Sequence, residues 1–107
     1  MRLELSRFVE GDIEAIADFI AEDSPARAVQ FVRQIWHAIL KVGDHPYFYQ
    51  LRPEVGKEAR MVVVGHHLVL YRVVAEAVRI ERVVYGGRDL PRMLLELESR
   101  PPEVSGN

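Results

Sequence analysis

A chain of 107 residues has room for one domain, and at that size it buries about two-thirds of the surface its unfolded form would expose. Its 49% apolar and 28% charged residues fall in the ordinary globular range, which excludes disorder over most of the length. Fourteen basic and sixteen acidic residues give a formal charge of −2, so no global positive field draws the chain to phosphate backbones, and the lack of cysteine excludes a disulfide framework and a thiolate zinc site.

Residues 1–6 alternate, with Leu3 and Leu5 on one side and Arg2 and Glu4 on the other, which is the period of a half-buried strand. From about 8 to 22, Ile13, Ile16, Ala17, Phe19 and Ile20 recur at helical spacing. Glu10, Asp12, Glu14, Asp18, Glu22 and Asp23 then read as the solvated side of that amphipathic helix, the early ones favoured by its dipole. Ser24-Pro25 marks a restart, because serine caps free backbone amides and proline at the first helical position has no amide to leave unbonded. The second helix carries Ala28, Phe31, Val32, Ile35, Trp36 and Ile39 on its apolar face, and Gly43 stands where a left-handed C-terminal cap is wanted. Trp36 is either core or an exposed anchor for a partner. The short break between the segments implies an antiparallel helical hairpin.

Pro46, Pro53 and Gly56 break residues 44–57 into a surface loop. Valine, leucine, isoleucine and tyrosine then load three strands, predicted at 59–64, 67–74 and 77–85. Gly65-His66 suits a two-residue hairpin turn with glycine first, whereas Ala75-Glu76 is poor turn chemistry and that hairpin is placed by strand lengths alone. Residues 90–98 are expected to form a short terminal helix before a fraying tail that contains Pro101-Pro102, so a single domain is set at 1–98 and a flexible tail at 99–107. The first residues lack the apolar run of a secretory signal, and the longest apolar stretches, such as 68–71, fall far short of the roughly 20 residues that cross a bilayer; a soluble cytoplasmic protein is expected. The expected class is α+β, an N-terminal strand and an antiparallel α-hairpin packed on an antiparallel β-meander.

The strands are apolar on both faces. Leu68, Leu70 and Val74 alternate with Val69, Tyr71 and Val73 in the middle strand, and Val62 and Val64 oppose Met61 and Val63 in the one before it. A helical hairpin covers one face only, so the other calls either for a partner segment or for self-association or burial beneath the 44–57 loop and the C-terminal helix.

Local strings add a family resemblance. Pro25-Ala26-Arg27-Ala28-Val29-Gln30-Phe31-Val32 resembles the second helix of ParE toxins, and Leu51-Arg52-Pro53-Glu54-Val55-Gly56 with Arg60 resembles their loop and the arginine that starts the next strand. Val69-Leu70-Tyr71-Arg72-Val73 and the run from Ile80 through Gly86-Gly87-Arg88-Asp89 are similar to the last two strands of the ParE/RelE superfamily, so the likeness spans residues 1–90. What it implies is the toxin of a type II toxin–antitoxin pair, held inactive by a ParD-like antitoxin and needing no cofactor. ParE-type toxins poison DNA gyrase; RelE-type toxins cut mRNA in the ribosomal A site; a non-toxic binding module of the same fold is the third reading.

Metal-free RNA cleavage needs a group to activate the 2′-hydroxyl, cations for the transition state and an acid for the leaving oxygen. The RelE-like set of lysines, arginines and a C-terminal tyrosine is thin in this sequence: the strand from Ala59 has no lysine pair, His67-Leu68 brings no arginine, and only Arg88 matches clearly. The gyrase reading is therefore preferred, with no catalytic residue assigned and no direct sequence-specific contact to nucleic acid. Arg60, Arg82, Tyr85 and Arg88 are the candidates for touching target or antitoxin. Arg60 and Arg82 alternatively pair with acids such as Glu81 or Glu58, and Arg88 alternatively is a solvated turn residue. His66-His67 is not a metal site, because neighbouring strand residues point to opposite faces, and His37 and His45 lack acidic partners at ligand spacing.

Overall fold

The computed structural model describes residues 1–86. Arg88, the helix expected at 90–98, the boundary at 98 and the tail at 99–107 lie outside the described residues. Strand β1 (Arg2–Leu5) leads into helices α1 (Val9–Asp23) and α2 (Pro25–Asp44), and after a loop come β2 (Ala59–Val64), β3 (His67–Val74) and β4 (Ala77–Tyr85). The four strands form one sheet in the order β1-β4-β3-β2. The meander is antiparallel as expected, and β1 joins it beside β4 as a parallel fourth strand, pairing Leu3 with Val78 and Leu5 with Ile80. The sheet is thus mixed, and the N-terminal strand is part of it.

Ser24 ends α1 and starts α2, its hydroxyl accepting from the Arg27 amide at 3.3 Å while Pro25 opens the helix. Gly43 does not cap α2. The helix runs through it to Asp44, because Val42 and Gly43 are buried and Gly43 faces the side chain of Leu3; His45 ends the helix with φ −135°. Packing on β1 thus carries the last turn past the glycine.

Between helices and sheet, Val9, Ile13, Phe31, Ile35, Ile39 and Val42 meet Val62, Val69, Tyr71, Val78, Ile80 and Val83 in the main core. Ile35, Ile39 and Ile80 are completely buried, each stabilising the fold by about 1.5–3 kcal/mol relative to exposure. Val78 and Ile80 share the helix side with Val83, three residues on, because the β3–β4 register shifts there: Tyr71 faces Ile80 and Leu70 faces Arg82. Glu81 is the extra residue of this β-bulge, and the kink re-aims the rest of β4. Ser6 fastens it, donating its hydroxyl to the Glu81 carbonyl at 2.6 Å and accepting from the Phe8 amide at 3.2 Å.

On the outer face of the sheet, Leu68, Leu70 and Val84 are buried in a second cluster with Val55 and Ala59. Burial within the chain thus accounts for these three positions, while Val63, paired with Leu68 on the same face, stays 67% exposed. Val55, from the loop before β2, is part of what fills the cluster.

The hairpin turns differ in cost. Gly65 takes φ +60°, a value glycine adopts freely, at the first position of its turn. Ala75 and Glu76 both sit at positive φ, 49° and 63°, the primed geometry a tight hairpin demands from residues that resist it.

Candidate partner-binding site

Arg82 belongs to the bulged part of β4, beyond the end of β1, and its guanidinium reaches Asp12 of α1. Both nitrogens lie 2.8 Å from separate carboxylate oxygens, a fork-on-fork pair, and the Val83 amide donates to the same carboxylate at 3.0 Å. The side chains of Arg82 and Asp12 are 21% and 13% exposed, and the guanidinium carbon stands 4.9 Å from the centre of the Phe8 ring. Asp12 is therefore a clamp between helix and sheet edge, not one of the solvated acids of α1. It satisfies a β4 amide that β1 is too short to reach.

Arg60 is also committed within the chain. It donates to the Tyr49 carbonyl and lies 5.3 Å from the centre of the Tyr47 ring. Nearby, the phenol of Tyr71 donates to the Pro46 carbonyl at 2.8 Å, and burial pushes its pKa up to about 12. Backbone pairing of Leu51 with Arg60, and of the Arg52 amide with the Ala59 carbonyl at 2.7 Å, completes a loop pinned to the edge of β2.

Glu81, an expected partner for one of these arginines, instead takes Arg72 at 3.1 Å and Arg79 at 3.1 Å, two guanidinium groups brought side by side by the pairing of Arg72 with Arg79 across β3 and β4.

Tyr85 is 61% exposed at the end of β4, opposite His67. The His67 ring is edge-on to Phe31 at 4.8 Å and to Tyr85 at 5.6 Å, and burial, with the neighbouring His66, holds its pKa below the usual value. These rings line a cleft of about 300 Å³ with Ile20 and Val64, and Arg27, Gln30 and Gln34 of α2 edge it. An apolar floor with a polar rim suits a partner side chain.

The sequence-predicted candidates do not converge. Arg60 lies opposite Tyr71 and Arg82 opposite Leu70, so β3 stands between them and their backbones are roughly 10 Å apart. Tyr85 is at the far end of β4, and Arg88 lies outside the described residues. Sequence reasoning missed Asp12, since an acid in the first helical turn has an ordinary explanation in the dipole. It also missed the cleft, whose walls come from three separate stretches of chain. Among the described residues no group of three or more histidines or carboxylates is placed to hold a metal ion. His37, His45 and His66 are exposed.

A family profile for the ParE toxin of the type II toxin–antitoxin system parDE matches residues 3–90. The chain belongs to the ParE toxin family. Among solved structures, one described as the chromosomal ParDE TA system from P. aeruginosa matches this ParE-family chain with a TM-score of 0.71. The identity is 20%, and the match covers 81% of this chain and 97% of that one, so the two share the fold. No curated protein matches in sequence. As a ParE toxin, the chain is the toxin component of a type II toxin–antitoxin pair. No helix among its described residues is long and apolar enough to cross a membrane.

Proposed function

We propose that this ParE toxin inhibits DNA gyrase in the cytoplasm by protein contact, with no catalytic residue of its own, and is neutralised by a ParD-like antitoxin. The observation that carries the reading is how the cations are used. Arg82 is held by both oxygens of Asp12 and Arg60 by the Tyr49 carbonyl, on opposite sides of β3 and away from Tyr85 and His67. A ribonuclease working without metal needs such groups gathered at one phosphate, and the loss of one charge-stabilising donor commonly costs about 10²-fold or more in rate. Two arginines employed as internal braces support contact in place of catalysis.

Of the three described candidates, Tyr85 is the one exposed at a cleft, and it is assigned to the target or the antitoxin; Arg88 is assigned the same role from sequence. Folded toxin is expected to block supercoiling of relaxed plasmid by purified gyrase, with cleaved DNA accumulating. Complete supercoiling at a large molar excess of folded toxin would refute the proposal. Toeprinting on translating ribosomes is expected to show no A-site cleavage, and cleavage there would replace the gyrase reading with the ribonuclease one.

A further inference from the structure

The cleft beside Tyr85 has a one-sided chemistry. Ile20, Phe31 and Val64 line it with apolar surface, and the titratable and charged groups that reach it are Arg27 from the first turn of α2, His66 from the β2–β3 turn, His67 of β3 and the phenol of Tyr85. Among the described residues no carboxylate lines it. Asp23 pairs with Arg27 at 3.9 Å, but those side chains are 87% and 74% exposed, so water screens the pair and the guanidinium can exchange to another anion. Arg72, Arg79 and Arg82 differ in this respect, because each is tied to a carboxylate that is itself largely buried.

We infer that this cleft, taken as the partner site proposed above, seats a segment of the antitoxin in which an apolar side chain stands next to a carboxylate. The apolar group rests against Ile20, Phe31 and Tyr85, and the carboxylate lies beside Arg27 and His67. Membership of the ParE family supplies the antitoxin as a partner. An opening of about 300 Å³, at the small end of ligand pockets, admits one or two side chains of a narrow segment and not a broad folded surface. Charge complementarity decides what accompanies the apolar group: with Arg27 at the rim and no acid in the lining, a carboxylate is drawn in and a lysine is repelled.

This arrangement links binding to protonation of His67. The groups around that ring are Arg27, His66 and Tyr85, while α1 and β2 contribute the uncharged Ile20 and Val64. Burial, with the neighbouring His66, holds the His67 pKa below the usual value, so in the toxin alone the ring is neutral near pH 7. A carboxylate placed beside it favours the imidazolium and raises the pKa in the complex. The complex then takes up a proton, and affinity increases as pH falls through the bound value, with the gain complete below the free one. An apolar group without the acid has the opposite sign: it buries the ring further, lowers its pKa, and makes binding weaker in acid.

The test uses the full chain and the antitoxin encoded beside it. Affinity is measured by displacement titration at pH 7.5, 6.5 and 5.5, with circular dichroism confirming the fold at each, and proton uptake by calorimetry in buffers of different ionisation enthalpy. Binding is expected to be about fivefold tighter at pH 5.5 than at pH 7.5, with net proton uptake at pH 6.5. His67→Phe, which keeps a ring against Phe31, and His67→Gln should each flatten the profile to within about twofold and abolish the uptake attributable to the toxin. Tyr85→Ala, at an exposed position, should weaken binding by about tenfold or more at every pH, and Arg27→Gln should weaken it most at low salt.

An affinity that is flat or falls toward pH 5.5, while Tyr85→Ala still weakens binding, overturns the carboxylate and leaves the cleft as a partner site. A profile of the same size in His67→Phe overturns the link to His67. If Tyr85→Ala leaves antitoxin affinity unchanged and abolishes inhibition of gyrase, the cleft belongs to the target and the antitoxin segment is refuted.

Discussion

Replacing Asp12 with alanine is the most direct trial of how this fold is braced. The carboxylate accepts two charge-assisted hydrogen bonds from Arg82, each 2.8 Å long, and one from the Val83 amide at 3.0 Å. With the Asp12 side chain 13% exposed and that of Arg82 21%, water replaces little of what is lost. Hydrogen bonds to charged groups contribute about 1.5–3 kcal/mol each, and removal of one partner from a buried pair costs about 3–5 kcal/mol. Three bonds sharing one carboxylate do not add, so about 3 kcal/mol is expected. For a domain near this size that lowers Tm by roughly 12–20 °C. Urea unfolding followed by circular dichroism measures the change, and the slope against urea should be unaltered. Asp12→Asn keeps an acceptor for the Val83 amide and should lose about half as much. Because Arg82 acts through Asp12, Arg82→Met and the double variant Asp12→Ala, Arg82→Met should be similarly unstable, with a coupling of about 3 kcal/mol. If Asp12→Ala stays within about 0.5 kcal/mol of the parent, Asp12 is a solvated surface acid after all and the bracing argument fails.

The other expectations concern the turn, the pinned loop and the cleft. Substituting Asn-Gly for Ala75-Glu76 relieves two residues held at positive φ and should stabilise the chain by about 1 kcal/mol, seen as a higher urea midpoint; an unchanged or lower midpoint would mean the turn stores no strain. Tyr71→Phe removes the bond to the Pro46 carbonyl and should cost about 1–2 kcal/mol, with proteolysis between residues 45 and 52 faster than in the parent. For His67, burial lowers the folded-state pKa below the unfolded value near 6.5, so the unfolded chain takes up the proton first as pH falls. This contribution to stability is full above the unfolded value, declines as pH drops toward the folded one, and should vanish from the stability–pH profile of His67→Gln.

Elements were legible wherever a local rule decides them. Ser24-Pro25 marks a helix start by chemistry that operates within four residues, and Gly65 marks a turn because glycine alone is at ease there. Gly43 misled because the same residue type also serves where a helix packs closely, and only the position of Leu3, forty residues away, distinguishes the two uses. The place of β1 in the sheet and the bulge at Glu81 were illegible for a related reason. A parallel partner and a one-residue slip are settled by contacts across the fold, and alternation alone describes a strand equally well before and after the slip. The candidate arginines were legible as residues and not as roles, since their partners, the Tyr49 carbonyl and the Asp12 carboxylate, lie 11 and 70 positions away.

The two-sided apolar sheet carries a wider lesson about recognising a surface built for a partner. Counting apolar faces treats each as needing a separate layer, yet the outer face is buried in a cluster to which a single loop residue, Val55, contributes. Apolar strand faces therefore measure how much core the chain needs, and that need is met at Leu68, Leu70 and Val84. What a partner can use is whatever stays exposed after the core is complete and is held rigid enough to bind at low entropic cost. By that criterion the sheet interior drops out. Val29 and Leu40, exposed on an unbroken helix, and Tyr85, at the rim of a cleft backed by Phe31 and His67, are among what remains.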